Sequence, residues 1–388
     1  MKQYLILLTT LSTLILYSQD LEIKGTVFED ANGNSIQDKG EKGIPNVAIS
    51  DQDNVAVTDS NGNFVLNSNP EFPYVFVSQP SGYAGTFYYP KASAVNFPLK
   101  RTKDQSHFKF IHASDTHVDS LNLPRMARFR QMADSIGVDF VLITGDLVRD
   151  ALRGNEATAE GYFKLYIQEI SKFKMPVYSN LGNHDIFGIE RDKSLVSTEH
   201  PLYGKKMYRH FLGPNYYSFN YGGIHFISVD DVDYQNLYYY GGVDSLELKW
   251  LEKDLKPVPK STPIVTYNHI PFLSLGFGLF DFENSPYYGP NLLTHNGKLY
   301  HRHIAYNFKD VLSRIGDRPY ILALSGHYHE PQEGHFIGTK TEFAQTAAIT
   351  RPDSFKNDLN IEMHSGFTLY EVQDGKIVSS KFIPLNLK

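Results

Sequence analysis

Five short segments of the chain carry clustered oxygen and imidazole donors. They are Asp115-Thr116-His117, Gly145-Asp146, Gly182-Asn183-His184-Asp185, the lone His269, and Gly326-His327-Tyr328-His329. No cysteine occurs in the 388 residues, so a transition-metal site must be made from Asp, Asn and His. That donor mixture suits hard or borderline cations such as Mn, Fe and Zn. The chemistry it points to is metal-assisted hydrolysis, in which cations polarise a substrate oxygen and acidify a bound water.

Context strengthens the reading. An Asp-x-His pair on extended backbone just past a strand can turn both side chains toward one point, whereas an isolated His is more often a satisfied core residue. Each segment also follows a short apolar run: residues 108–113 precede Asp115, 140–144 precede Asp146, 176–178 precede Asn183, 264–267 precede His269 and 320–324 precede His327. Such runs read as buried strands feeding functional loops. In open α/β sheets ligands gather beyond the carboxyl ends of strands, so five such ends can converge on one site.

Taken in order, these segments resemble the calcineurin-like metallophosphoesterase superfamily over roughly residues 107–388. Similarity to its bacterial secreted members extends to Gly213-Pro214-Asn215-Tyr216-Tyr217-Ser218-Phe219 and Trp250-Leu251-Glu252-Lys253-Asp254-Leu255. The resemblance implies an α/β fold, a four-layer α/β/β/α sandwich, and two metal ions, divalent or a divalent–trivalent pair of Mn, Fe or Zn. It places Asp115, His117 and His329 on one ion, Asn183, His269 and His327 on the other, and Asp146 between them. An anionic bridge is sensible, because two cations roughly 3.5–4 Å apart repel unless negative charge lies between them. The nucleophile it implies is a metal-bridging hydroxide.

By the same resemblance, His184 is no ligand but faces the phosphoryl group, where an imidazole near its working pH can protonate a leaving oxygen. Asp185 would orient it, a role weighed equally against capping of local amides. Asp150 falls near the family's second acidic position and reads as loop support rather than a ligand. Two departures narrow the subclass. Purple acid phosphatases have a tyrosine after the Gly-Asp pair and lack the first-motif histidine; here Arg149, Asp150 and His117 stand instead. Protein phosphatases usually have Gly-Asn-His-Glu, where this chain has Asp185.

The remaining histidines read more plainly. His112 and His225 sit inside apolar runs and are expected to be strand residues, while some of His295, His301 and His303 could face substrate. Residues 271–302 carry Phe272, Phe277, Phe280, Phe282, Tyr287, Tyr288 and Tyr300 among glycines and prolines and read as a long loop, a specificity element or a self-packed insertion. Tyr238-Tyr239-Tyr240 is a second candidate rim.

Residues 1–18 read as a signal peptide, with cleavage near Ser18-Gln19, which implies a secreted or periplasmic protein with no transmembrane span in the mature chain. From 19 to 100, short β-type runs separated by Asn, Asp, Gly and Pro predict a small immunoglobulin-like β-sandwich for spacing, docking or solubility, followed by a linker over 101–107. Within it, Asp30, Asn32, Asn34, Asp38 and Glu41 occupy EF-hand-like positions for a calcium ion, with Ser35 where glycine is usual; a plain polar turn is the competing reading.

The catalytic domain is expected over 108–388, with helices at Pro124 to Ile136, Ala157 to Lys172 and around Leu248, Leu251 and Leu255. Residues 335–388, including a hairpin at Asp374-Gly375, are expected to close its second sheet. A formal charge of −6, from 37 basic and 43 acidic residues with no basic stripe, disfavours a duplex nucleic acid partner. The function expected is therefore hydrolysis of a small phosphomonoester or phosphodiester. The alternatives are a noncatalytic metal-holding surface-binding protein and a protein-serine phosphatase. Oligomeric state is left open by the sequence.

Overall fold

The computed structural model describes residues 21–387 apart from 104, 280–289, 296 and 357–359. The expected signal peptide, and Phe280, Phe282, Tyr287 and Tyr288, lie outside the described residues. No described helix is long and apolar enough to cross a membrane.

Two sheets face each other to form the larger part of the molecule. The first is ordered Val177–Asn180, Phe140–Thr144, His107–Ala113, Gly366–Gln373 and Lys376–Pro384; its first three strands are parallel. The second is ordered Tyr217–Tyr221, Ile224–Ser228, Ile264–Tyr267, Tyr320–Ser325, Glu342–Gln345 and Gln332–Gly334, parallel through its middle four. The parallel strands are buried on both faces, which is why they read as continuous apolar runs rather than alternating ones.

Between the sheets lies an aromatic layer. Phe110 stacks on Phe140 at 5.2 Å and on Tyr370 at 5.0 Å, and Phe226 from the opposite sheet meets Phe110 edge-on at 5.7 Å. On the outside of the first sheet, helices Leu123–Ile136 and Glu156–Ile170 bury Phe129 and Phe163 against Ile111, Val141 and Ile143. On the outside of the second, helices Ser245–Leu255 and Phe308–Ile315 bury Trp250, Leu251 and Val311. The result is the expected α/β/β/α order. The first helix has the start and stop its sequence predicted: Pro in its first turn and Gly137 at φ 70°, the left-handed position that glycine takes without Cβ strain.

The carboxy-terminal hairpin departs from expectation. Gly366–Gln373 pairs antiparallel with His107–Ala113, so the hairpin extends the first sheet; only Glu342–Gln345, from the same region, joins the second. Periodicity marks strands but carries no information on which sheet edge they join. Residues 271–302, expected as a loop, contain a hairpin of Leu292–His295 with Lys298–His301. Tyr238–Gly241 is likewise half of a hairpin, with Val232–Gln235.

The amino-terminal module is a sandwich of two four-stranded sheets, one built on Leu21–Glu29 and the other on Ala48–Ser50, around Ile23, Val27, Ile49, Leu66, Val75 and Phe97. It does not hang from a free tether. Gln105, in the expected linker, accepts from the backbone N–H of Gly82 and of Gly222, and so ties both bodies. Gln79 bridges to Phe219 on the edge strand Tyr217–Tyr221, closing an otherwise open sheet edge. Trp250, the chain's single tryptophan, is fully buried, donates Nε1–H to Ser50 Oγ at 3.0 Å and packs on Phe76 and Tyr216.

Because these contacts join the module to the catalytic domain, the two are expected to unfold together. Trp250→Ala is expected to cost about 3–5 kcal/mol by denaturant titration. The wild-type chain should unfold with tryptophan fluorescence and circular dichroism coincident; two separated transitions would show that the module folds independently.

Candidate metal centre

The carboxyl ends of the central strands of both sheets bring all seven expected ligands together. Around one point stand Asp115, His117, Asp146 and His329; around a second stand Asp146, His269 and His327. His329 Nε2 is 3.0 Å from Asp115 Oδ1 and 3.4 Å from His117 Nε2, and His117 Nε2 is 3.7 Å from Asp146 Oδ2. On the other side His269 Nε2 is 3.3 Å from Asp146 Oδ1, 3.0 Å from Asn183 Oδ1 and 3.1 Å from His327 Nδ1. Asp146 thus turns one oxygen toward each group, the disposition of a bridge.

Close approach of the loops depends on missing side chains. A Cβ on Gly182 would fall 2.0 Å from the Asp146 nitrogen, and one on Gly326 would fall 1.7 Å from Ser114 Oγ. Asp115, His117, Asp146, His327 and His329 all have positive φ, between 37° and 72°. Left-handed backbone at non-glycine residues clusters where function over-determines geometry.

The donor chemistry fits cations. His269 Nδ1–H donates to the Thr144 carbonyl at 2.8 Å, so Nε2 is the nitrogen that faces the oxygens of Asn183 and Asp146; with no cation there, Asp146 outweighs burial and raises the imidazole to about 10, and a proton fills the gap. His303 Nδ1 lies 2.7 Å from His327 Nε2; with the proton of His327 directed there, the lone pair of His327 Nδ1 also points inward. Lone pairs converging on lone pairs repel unless positive charge sits among them. His329 is arranged differently: Arg351 Nε–H donates to its Nδ1 at 3.0 Å, which favours a proton on Nε2 shared with Asp115. For His329 to hold a cation through Nε2, its proton would sit on Nδ1 in place of the arginine contact.

Titration follows the same field. Burial works to raise the carboxyl of Asp146, but His269 and His184 outweigh it and hold it well below the ordinary value. Burial disfavours charge on His184, yet Asp146 and Asp150 together raise its pKa. Its Nε2 is 3.9 Å from Asp146 Oδ2, so the ring faces the centre without belonging to either ligand group.

Asp185 does not orient His184. Its carboxylate accepts from the backbone N–H of Gly182, Leu147 and Val148 at 2.8–3.0 Å, bracing two loops, and burial with the nearby charge of Asp146 lifts it to about 7. The carboxylate near His184 Nδ1 is that of Asp150, at 3.3 Å, itself held by Arg153 at 3.1 Å. Asp231, which the sequence reading passed over, accepts from the backbone N–H of His269 and Ile270 and from Asn268. Its position just past the apolar run 224–229 was the available signal.

His112 and His225 are buried strand residues, bonded to Thr144 and to Asn220 and Asp254. Tyr239 is no open rim: it is 5% exposed, its ring 6.1 Å from that of His327. In the amino-terminal loop, Asp30 accepts from the amides of Gly33, Asn34 and Ser35, Asn32 and Asn34 both donate to Asp38, and Glu41 accepts from Ala31 and Asp38. These five side chains meet, but as an internally bonded polar turn; among the described residues the groups of three or more Asp, Glu and His that converge lie at the motif site.

Residues 108–331 match the family model for calcineurin-like phosphoesterase, and residues 30–111 match the model for the N terminal of calcineurin-like phosphoesterase. Among solved structures, a dimetal phosphatase from Danio rerio is 13% identical, with 72% of this chain and 99% of that chain covered at a TM-score of 0.46. GAP50 of Plasmodium, described as the anchor in the inner membrane complex, is 16% identical over 72% and 85%, at 0.45. A purple acid phosphatase from yellow lupin is 13% identical over 88% and 69%, at 0.41. No curated protein matches the chain.

Metal should stabilise the fold through this centre. A ligand at 100 times its Kd adds about 2.7 kcal/mol of stability. Addition of Mn to metal-stripped protein should therefore raise Tm, and Asp146→Ala should abolish the rise while Asp30→Ala leaves it. A rise that survives Asp146→Ala would place the cations elsewhere.

Proposed function

The chain belongs to the calcineurin-like phosphoesterase family, a family of metal-dependent phosphoric ester hydrolases, and from that premise we propose a secreted dinuclear enzyme that cleaves a small phosphomonoester or phosphodiester. The observation that carries the reading is Asp146, buried, with one oxygen toward each of two imidazole groups and His184 open beside it. With ions bound, such a pair supplies Lewis acidity toward phosphoryl oxygens and an acidified water between them.

The chain's own residues do the rest. Asp115, His117 and His329 would hold one ion, Asn183, His269 and His327 the other. His184 faces the same centre with Asp150 beside its Nδ1, and there it would pass a proton to a leaving oxygen. Asp150, anchored by Arg153, lies 3.3 Å from Nδ1 and would stabilise charge on the ring. A noncatalytic surface-binding role would leave a lost ligand or a lost His184, and every position is intact. Secretion or a periplasmic address rests on the residue pattern of 1–18, and the same address weighs against a protein-serine phosphatase.

His184→Ala is expected to lower kcat about 10²- to 10⁴-fold on chromogenic mono- and diesters with Mn, with metal content by elemental analysis unchanged. Loss of metal together with activity would make His184 a ligand instead. Because Asp150 raises the pKa of His184, activity should fall as pH rises through that pKa. Asp150→Asn should then move this alkaline limb to lower pH; an unmoved limb would remove Asp150 from the proton path.

A further inference from the structure

His303 follows the hairpin of Leu292–His295 with Lys298–His301, which lies between the His269 and His327 segments. Its Nδ1 is 2.7 Å from Nε2 of His327, and the two rings lie 4.9 Å apart at 31°. Two nitrogens so close hold one proton between them. The backbone fixes His303 there. Its N–H donates to His301 Nδ1 at 2.9 Å, and its carbonyl accepts at 2.9 Å from the hydroxyl of Tyr328, the residue between His327 and His329. Two residues on, the N–H of Ala305 donates to the Pro271 carbonyl at 3.1 Å, just past His269. The exit of the hairpin is thus sewn to the segments that carry His269 and His327.

Which nitrogen of His327 carries the proton decides whether the ring can take a cation. Its Nδ1 lies 3.1 Å from His269 Nε2, on the side of the centre, and its Nε2 meets His303. A proton on Nδ1 would block the site, whereas a proton on Nε2 leaves a lone pair for an ion. His269 meets the same requirement through a carbonyl: its Nδ1–H donates to Thr144, and Nε2 faces inward. Outer partners of this kind fix the tautomer and ring orientation of a ligating imidazole. For His327 the partner at that place is the imidazole of His303. We propose that His303 is a positioning residue of the metal centre: it accepts the Nε2–H of His327, keeps Nδ1 bare toward the centre, and so sets the affinity for the ion that Asn183, His269 and His327 would hold. The proposal rests on the phosphoesterase reading and adds to it a residue from outside the five motif segments.

The test is Mn binding to the metal-stripped full chain, by equilibrium dialysis with elemental analysis. His303→Leu, which removes the acceptor, should weaken one of the two Mn sites by about 10- to 100-fold and leave the other as in wild type. His303→Asn, whose Oδ1 can take the place of Nδ1 and accept the same proton, should recover most of the loss. Two Mn sites of wild-type affinity in folded His303→Leu, with only Tm lowered, would make His303 a packing residue and overturn the proposal. Nitrogen NMR of the Zn-loaded wild-type chain needs no variant to fold: His327 should carry its proton on Nε2, facing a bare His303 Nδ1, and a proton on His303 Nδ1 would overturn the proposal. A wild-type chain that binds two Mn ions with this dependence on His303, yet hydrolyses no ester, upholds the role of His303 and overturns the enzyme reading. A wild-type chain that binds no Mn overturns both.

Discussion

The whole catalytic half is organised around acceptors gathered so closely that positive charge, a proton or a cation, must sit among them: His269 Nε2 meets oxygens of Asp146 and Asn183 and Nδ1 of His327 across 3.0–3.3 Å. Two buried aspartates, a buried asparagine and four imidazoles would not be collected there for stability, since buried like-facing acceptors are costly. Strain adds to this. Five of the seven residues hold left-handed backbone, at about 1–3 kcal/mol each. Cations would return that free energy, which ties metal binding to folding through the same side chains.

Holding so many acceptors at one place needs a scaffold that does not yield. Two parallel-centred sheets, locked face to face by Phe110, Phe140, Phe226 and Tyr370, aim their strand ends at the same point. The amino-terminal module contributes by covering the exposed edge strand Tyr217–Tyr221 and by completing the packing of Trp250 and Tyr216. It thereby packs against the edge of the second sheet, from which His269 and His327 project.

The ligands were legible in the sequence because each lies directly past an apolar strand, so local pattern alone placed it at a strand end. Strand pairing was not legible in this way. The burial of the Gly366–Gln373 strand carries no mark of its neighbour, and its partnership with His107–Ala113 is a long-range choice of edge. Tyr239 and His303, read as part of a candidate rim and as a candidate substrate-facing residue, could not be placed against His327 for a related reason. They arrive on hairpins inserted between motifs, where a run rich in Gly, Pro and aromatics resembles a loop, and only the folded hairpin brings them to His327.

The exchange of roles between Asp150 and Asp185 has a simple physical cause. A carboxylate that binds three backbone amides has its lone pairs committed to the loops, and Asp185 does so with Gly182, Leu147 and Val148. Its adjacency to His184 in sequence suggested a pair, but adjacent residues on a tight 3-10 turn point to different sides. Asp150, a full turn of loop away from Asp146, is partly open to solvent and balanced by Arg153, so it can follow changes of charge on the imidazole. One acid thus sets the distance between the Asp146 and Asn183 loops, and the other stabilises charge on His184. Were Asp185 to turn toward His184, the amides that fix the bridging Asp146 would lose their acceptor; the division is forced by the number of lone pairs available.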